Sequence, residues 1–268
     1  LNTTLHRADT APRVLGLVAA AGRSRRMGQP KALLPWGPGG PPFVVHVVQA
    51  LRDAGVDDIV VTVPEETGVA ATVREVLWAF LGGAAARAIA LVANPWPHLG
   101  LSGSVRAALL RCQDDHALLV VAPVDAPFFD AALARALIAR ALHGHAGDDA
   151  GDDEPGTGVR GAVDVTVPVV AVAAATEAAA AGGSVPDARS GTRGPVAVGT
   201  RGHPAVFART CFADLQAAAD HGGPRNVVDE AARRRRLATV SHGDPRIATD
   251  VDTPADWERA FSSPWSGR

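Results

Sequence analysis

The sequence has no tyrosine, only two cysteines and no strong excess of either charge. Each scarcity excludes something. Cys112 and Cys211 lie far apart, so they form no metal-type or redox-type spacing. No secretory signal opens the sequence, and both are expected to be free thiols in a reducing cytoplasm. A formal net charge of −2 gives no basis for general binding to nucleic acid or to a membrane surface. Apolar runs are broken by charge or proline before they reach about 18 residues, too short for a membrane-spanning helix. The missing tyrosine, set against abundant alanine, is a compositional habit without functional weight. What remains is a chain of 268 residues, 47% of them hydrophobic, which suits one large α/β domain or one domain with insertions.

The chain is organised around Val14 to Lys31, VLGLVAAAGRSRRMGQPK. Val14, Leu15, Leu17 and Val18 read as a strand buried on both faces. Ala19, Ala20, Ala21 and Gly22 then remove side-chain bulk, which lets a ligand approach the backbone amides. Arg23, Arg25, Arg26 and Lys31 follow closely. Small residues and clustered cations after a buried strand suit a polyphosphate, with amides around its oxygens and cations balancing its charge. They equally suit a solvated basic turn. Two other phosphate loops are excluded. The P-loop pattern fails because five residues separate Gly22 from Gly28 and Gln29-Pro30 precedes Lys31. The G-x-G-x-x-G dinucleotide fingerprint is absent from this stretch.

Taken in order, helical spacing over Pro42–Gly55 is followed by a strand at Asp58–Val63 and a helix at Thr67–Leu81. A strand at Ala88–Ala93, a helix at Leu101–Cys112, a strand at His116–Ala122 and a helix at Asp130–Leu142 come next. The alternation predicts an α/β fold: a doubly wound, mostly parallel sheet in a three-layer α/β/α arrangement. Ligands in such folds sit at the carboxyl ends of the strands. The second half is less regular. Strands are expected at Val163–Val172, Ala205–Ala208 and Leu237–Val240, and helices at Phe212–Asp220, Val227–Arg236 and Pro254–Phe261. The first 12 residues read as a loose extension, and residues 13–268 as a single domain with insertions near 143–161 and 177–199.

Several motifs fall at strand ends. Asp125, in Pro123-Val124-Asp125-Ala126-Pro127, suits either a Mg2+ ligand or a simple turn. In Thr249-Asp250-Val251-Asp252-Thr253-Pro254, alternation puts Asp250 and Asp252 on one side, while Thr253-Pro254 reads as a helix start. The stretch from Asn94-Pro95-Trp96 to Ser102-Gly103-Ser104 leads into a helix; its amides suit an anion or a base edge, and Ser102 or Ser104 also suit ordinary capping. The run Arg233 to Arg236 reads as a solvated helix end.

AAGRSRRMGQPK resembles the A-A-G-x-S-x-R-M-G-x-x-K signature of the MobA-like nucleotidyltransferases, most of all the branch that includes molybdenum cofactor cytidylyltransferase. NPW, GLSGS, PVDAP, RGHP and DVDTP follow in the family's order. Gly103 stands at a usual serine, and Pro224 at a usual alanine of a loosely matched G-x-x-G-A-R motif. The resemblance implies CMP transfer from CTP to the terminal phosphate of molybdenum-bound molybdopterin, with release of pyrophosphate. It places the nucleotide on Ala20, Ala21, Gly22, Arg23, Ser24, Arg26, Lys31, Asn94, Ser102 and Ser104. Arg26, Lys31 and Asp125 are the implied catalytic residues. Mg2+ is implied on Asp125 and Asp250, with Asp252 the other candidate, and the acceptor on His203 and Arg225. Ala21 favours CTP, because the GTP-using branch usually has glycine there. Three other readings stay open: GTP on the same acceptor, a sugar-phosphate nucleotidyltransferase, and a non-catalytic cofactor-binding chaperone serving a molybdenum hydroxylase.

Overall fold

The computed structural model describes residues 12–65, 67–143, 163–170 and 200–265. The expected extension at 1–12 and the expected insertions near 143–161 and 177–199 fall almost wholly outside the described residues, as do the last two positions of the strand expected at Val163–Val172.

Strand β1 (Arg13–Ala19) sets the plan. Val14 and Val18 enter an apolar cluster on one face of the sheet, and Leu15 and Leu17 enter another on the opposite face. This is the two-residue period of a strand. β2 (Asp58–Val63) and β4 (His116–Pro123) flank it, both parallel. With helices on both faces, the strand keeps no polar side, which is why it reads as one apolar run. β3 (Ile89–Ala93) pairs parallel with β2. Beyond β4 lie β5 (Val165–Val170), β6 (Ala205–Ala208) and β7 (Leu237–His242), in the sheet order β3-β2-β1-β4-β6-β5-β7. β6 is antiparallel to both β4 and β5, while β5 and β7 are parallel.

The helices divide between the faces. α1 (Phe43–Asp53), α2 (Thr67–Leu81) and the short α3 (Gly83–Arg87) lie on the Val14 side. α4 (Leu101–Leu109) covers the Leu15 side. α5 (Ala131–His143) returns to the first face, α6 (Phe212–Ala217) and α7 (Pro224–Arg233) to the second, and α8 (Pro254–Phe261) to the first. The expected doubly wound, three-layer architecture is therefore the observed one. α1 sits close to the sheet because Gly16 lacks a side chain: a Cβ there would lie 2.9 Å from Val56 Cγ1 and 3.3 Å from Leu51 Cδ1.

The helix limits differ locally from those expected. α7 begins at Pro224, not near Val227. Proline at a first helical position has no amide to leave unpaired, and Gly223, with φ +67°, turns the chain into the helix. α4 stops at Leu109, three residues short of Cys112, and the helix at Phe212 tightens to a 3-10 turn over Ala218–Asp220. Gly82 follows the end of α2, and Gly83 opens α3, where a side chain would collide with the Trp78 ring. No helix among the described residues is long and apolar enough to cross a membrane.

The reversed direction of β6 has a consequence for the site. Ala205 pairs with Val121, near the carboxyl end of β4. The start of β6, with His203 before it, thus lies at the same end of the sheet as the carboxyl ends of β1 and β4.

Candidate active site

After Ala19 the chain leaves the sheet, with the Ala20 amide donating to the Thr62 carbonyl at 3.0 Å. Ser24 then folds the loop. It adopts φ +48°, and its carbonyl accepts from the amides of Met27 (3.0 Å) and Gly28 (3.2 Å). Its hydroxyl accepts from the Lys31 amide at 2.9 Å. Buried Met27 anchors the far side. The arginines at 23, 25 and 26 are left exposed, while Lys31 turns inward.

The Lys31 ammonium lies between two carboxylates, donating to Asp125 Oδ2 at 2.7 Å and to Asp252 Oδ1 at 2.5 Å. The other oxygen of Asp252 pairs with Arg26 at 2.9 Å. The Lys31 side chain is 13% exposed, Asp252 21% and Asp125 31%. Bonds of this charge-assisted kind contribute about 1.5–3 kcal/mol each, and less for Arg26, whose side chain is 69% exposed. Burial disfavours the Lys31 ammonium, but the two carboxylates outweigh it and hold its pKa above the ordinary lysine value. Burial likewise opposes ionisation of Asp252; Lys31 and Arg26 overcome it and hold the carboxyl below the usual range. The acidic segments are joined directly, because the Val251 amide donates to the Asp125 carbonyl at 2.7 Å.

A cavity of about 200 Å³ is lined by Ala20, Gly22, the arginines 23, 25 and 26, Ser24, Lys31, Asp125 and Asp252. A second, of about 500 Å³, is lined by Ala21, Gly22, Arg23, Asn94, Pro97, Gly100, Leu101, Ser104, Asp125, His203 and Asp250. The two share Ala19, Gly22, Arg23 and Asp125, so Asp125 stands at the junction of a small basic chamber and a larger neutral-to-acidic one. Burial pushes the His203 imidazole towards its neutral form against the charges of Asp250 and Asp125, and its Nδ1 has no hydrogen-bond partner among the described residues.

Asn94 builds the wall of the larger chamber. Its Oδ1 accepts from the Trp96 amide at 2.8 Å, and its Nδ2 lies 3.5 Å from the Ser104 hydroxyl. Gly103 faces this turn. A Cβ there would overlap the Trp96 carbonyl and lie 2.9 and 3.0 Å from the Asn94 amide atoms. The space a serine side chain would need is thus already taken. Gly100 occupies the N-cap of α4, and no side chain caps that helix. Ser102 is buried and abuts Gly223 at the start of α7, so it joins two helices and does not line either chamber. Arg225 is exposed in the first turn of α7 and lines neither chamber.

The other expected site residues all line one chamber or both. His46, on α1, was not singled out from the sequence. It stacks on Trp36, with ring centroids 3.8 Å apart, and its Nε2 donates to the Pro127 carbonyl at 3.1 Å, holding the loop that carries Asp125. A lone histidine on an apolar helix face gives no sequence signal for this.

Residues 16–237 match the model of the MobA-like NTP transferase domain, and the chain belongs to that family. A molybdenum cofactor guanylyltransferase of Xanthomonas euvesicatoria pv. vesicatoria is 36% identical over 130 residues, which is 48% of this chain and 55% of that protein. The chain thus spans about half the length of the curated relative it matches. Among solved structures, Rv0371c of Mycobacterium tuberculosis is 24% identical, with 95% of this chain and 100% of that one covered and a TM-score of 0.63. A structure of Rv0371c in complex with manganese is 23% identical, with the same coverage and a TM-score of 0.59. A nucleotidyl transferase of Methanothermobacter thermautotroptrophicus is 21% identical, with 94% and 97% covered and a TM-score of 0.60. These likenesses establish a shared fold.

Proposed function

We propose that the chain transfers a nucleotidyl group from a nucleoside triphosphate to the terminal phosphate of a molybdopterin-type acceptor, releasing pyrophosphate. The observation that carries this reading is the small basic chamber, where Lys31 pairs with Asp125 and Arg26 with Asp252 beside a loop of small residues. An acceptor phosphate oxygen forms the new bond to the α-phosphorus as the bond to the bridging oxygen of pyrophosphate breaks. The protein's task is positioning and charge stabilisation. Lys31, Arg26 and the exposed Arg23 and Arg25 face the triphosphate, and the larger chamber receives base and acceptor. His203 borders that chamber, and the proposed acceptor role of Arg225 rests on the loosely matched motif, since its side chain lines neither chamber. Ser102 serves through the helix start it shares with Ser104.

The donor set fits a hard divalent cation. Asp125 and Asp250 offer carboxylate oxygens to one chamber, and such ions take one or two carboxylates plus substrate phosphates. Among the described residues no cluster of three or more histidine, cysteine or acidic groups could hold a metal ion. Bound there, Mg2+ or Mn2+ would offset charge on the phosphates as pyrophosphate leaves.

CTP is the proposed donor, on the Ala20-Ala21-Gly22 sequence. GTP is the second reading, favoured by the name of the Xanthomonas relative. Pyrophosphate release with reconstituted molybdenum–molybdopterin, run with CTP, GTP and ATP in parallel, separates them. Asp125→Ala is expected to lower turnover by about a hundredfold or more; near-normal turnover in that variant refutes the assignment of Asp125. Silence with all three nucleotides refutes the reading.

A further inference from the structure

The family match ends at residue 237, yet the chain beyond it returns to the crevice. The segment before α8 supplies two carboxylates, and the structure gives them different surroundings. Asp250 lines the larger chamber with Asp125 and His203. Asp252 lines the small basic one, with one oxygen on Lys31 and the other on Arg26. The backbone of Asp252 is fixed as well. Its amide donates to Asp256 Oδ2 at 3.2 Å, next to the capping box that Thr253 and Asp256 form at the start of α8. That helix is anchored by buried Trp257, whose Nε1 donates at 2.8 Å to the Pro35 carbonyl, in the loop that follows Lys31.

We propose that Asp252 is a positioning residue: it holds Lys31 and Arg26 side by side over the small chamber as a prearranged cradle for the triphosphate. This rests on the nucleotidyl-transfer reading. Two cations on a loop of small residues repel each other and have many rotamers. A carboxylate between them cancels the repulsion and sets their directions before the phosphates arrive. Its rigidity comes from the helix cap behind it.

The test compares Asp252→Asn, Asp252→Glu and Asp250→Asn in the full chain, with circular dichroism as the check on folding. Binding of inorganic tripolyphosphate is measured by calorimetry in EDTA, and Mn2+ binding by electron paramagnetic resonance with CTP present. KM and kcat are read from pyrophosphate release. Asp252→Asn is expected to weaken metal-free tripolyphosphate about tenfold and raise KM for the nucleotide, leaving Mn2+ affinity within about twofold. Asp252→Glu recovers part of the loss. Asp250→Asn does the reverse, weakening Mn2+ and sparing tripolyphosphate. Arg26→Gln, at a mostly exposed side chain, reproduces part of the Asp252→Asn loss, and the double variant loses less than the sum. Weaker Mn2+ binding in Asp252→Asn with tripolyphosphate unchanged overturns the proposal in favour of metal ligation. Tighter tripolyphosphate overturns it too, because Asp252 would then compete with the phosphates for the cations. No change in either measurement also overturns it. If Asp252→Asn does not fold, additivity of Lys31→Gln and Arg26→Gln decides: independent effects overturn the cradle. Should wild-type chain release no pyrophosphate with any nucleotide, the functional reading itself fails, separately from these comparisons.

Discussion

Gly103→Ala is the smallest change that tests how the larger chamber is built. The new methyl group would overlap the Trp96 carbonyl and press on both amide atoms of Asn94. None of these can retreat freely. The carbonyl belongs to the backbone of the turn before α4, and Asn94 is buried with its Oδ1 on the Trp96 amide. Restoring ordinary contact needs a movement on the order of 1 Å. Overpacking of this kind costs typically 1–3 kcal/mol. For a domain of this size that corresponds to a fall in Tm of about 2–12 °C. Displacement of the chamber wall by a similar distance is expected to cost up to about a hundredfold in kcat/KM. Differential scanning calorimetry and pyrophosphate release read the two effects. A Tm within a degree of wild type, with unchanged kinetics, would refute the steric account and show the turn to be loose. Gly103→Ser, which restores the residue usual in the resembled family, is expected to be at least as damaging in this chain.

Thr253→Ala removes the hydroxyl that accepts from the Asp256 amide at 3.2 Å. It is expected to cost about 1 kcal/mol in chemical denaturation, and to raise KM for the nucleotide because α8 then holds Asp252 less firmly; an unchanged midpoint argues against the capping box as the support. His46 gives a pH dependence. Burial lowers its pKa, opposed by its bond to the Pro127 carbonyl, so the folded state prefers neutral imidazole. Its contribution is fully present above the unfolded pKa of about 6.5 and is lost as pH falls towards the lower folded value. His46→Phe, which keeps a ring against Trp36, should be less stable at neutral pH yet show a shallower decline as pH falls below about 6.5; parallel profiles would exclude His46 as a source of the slope.

Much of the fold was legible because β1, β2 and β4 are buried on both faces and appear as uninterrupted apolar runs. Asp58–Val63, Thr67–Leu81, Ala205–Ala208 and Pro254–Phe261 were read with the observed limits. The start of α7 was misplaced because Gly222-Gly223-Pro224 has the composition of a turn, and only the three-dimensional path shows that the proline sits inside the helix. At the site, the sequence named Lys31, Asp125, Asp250 and Asp252 individually. It gave no means of telling that Lys31 would sit between Asp125 and Asp252 while Asp250 turned to the other chamber. Strict alternation put Asp250 and Asp252 on one side, but facing one side still leaves each with different neighbours. From sequence Gly103 is a departure from a usual serine, and in space it is a fit to Asn94 and Trp96.

The bond between Lys31 and Asp252 spans 221 residues of chain. At a synthesis rate of about 5–20 residues per second, roughly 10–45 s separate the appearance of one partner from the other on the ribosome. During that interval β1 can pair with β2 and β4, and the basic loop is already in place, but its cations have no partner from the last segment. The clamp is therefore among the last contacts to be made. A chain cut short between β7 and Asp252 would carry all seven strands and the whole basic loop without the carboxylate that sets the loop's charges in order, so the quality of the site reports on whether translation passed that residue.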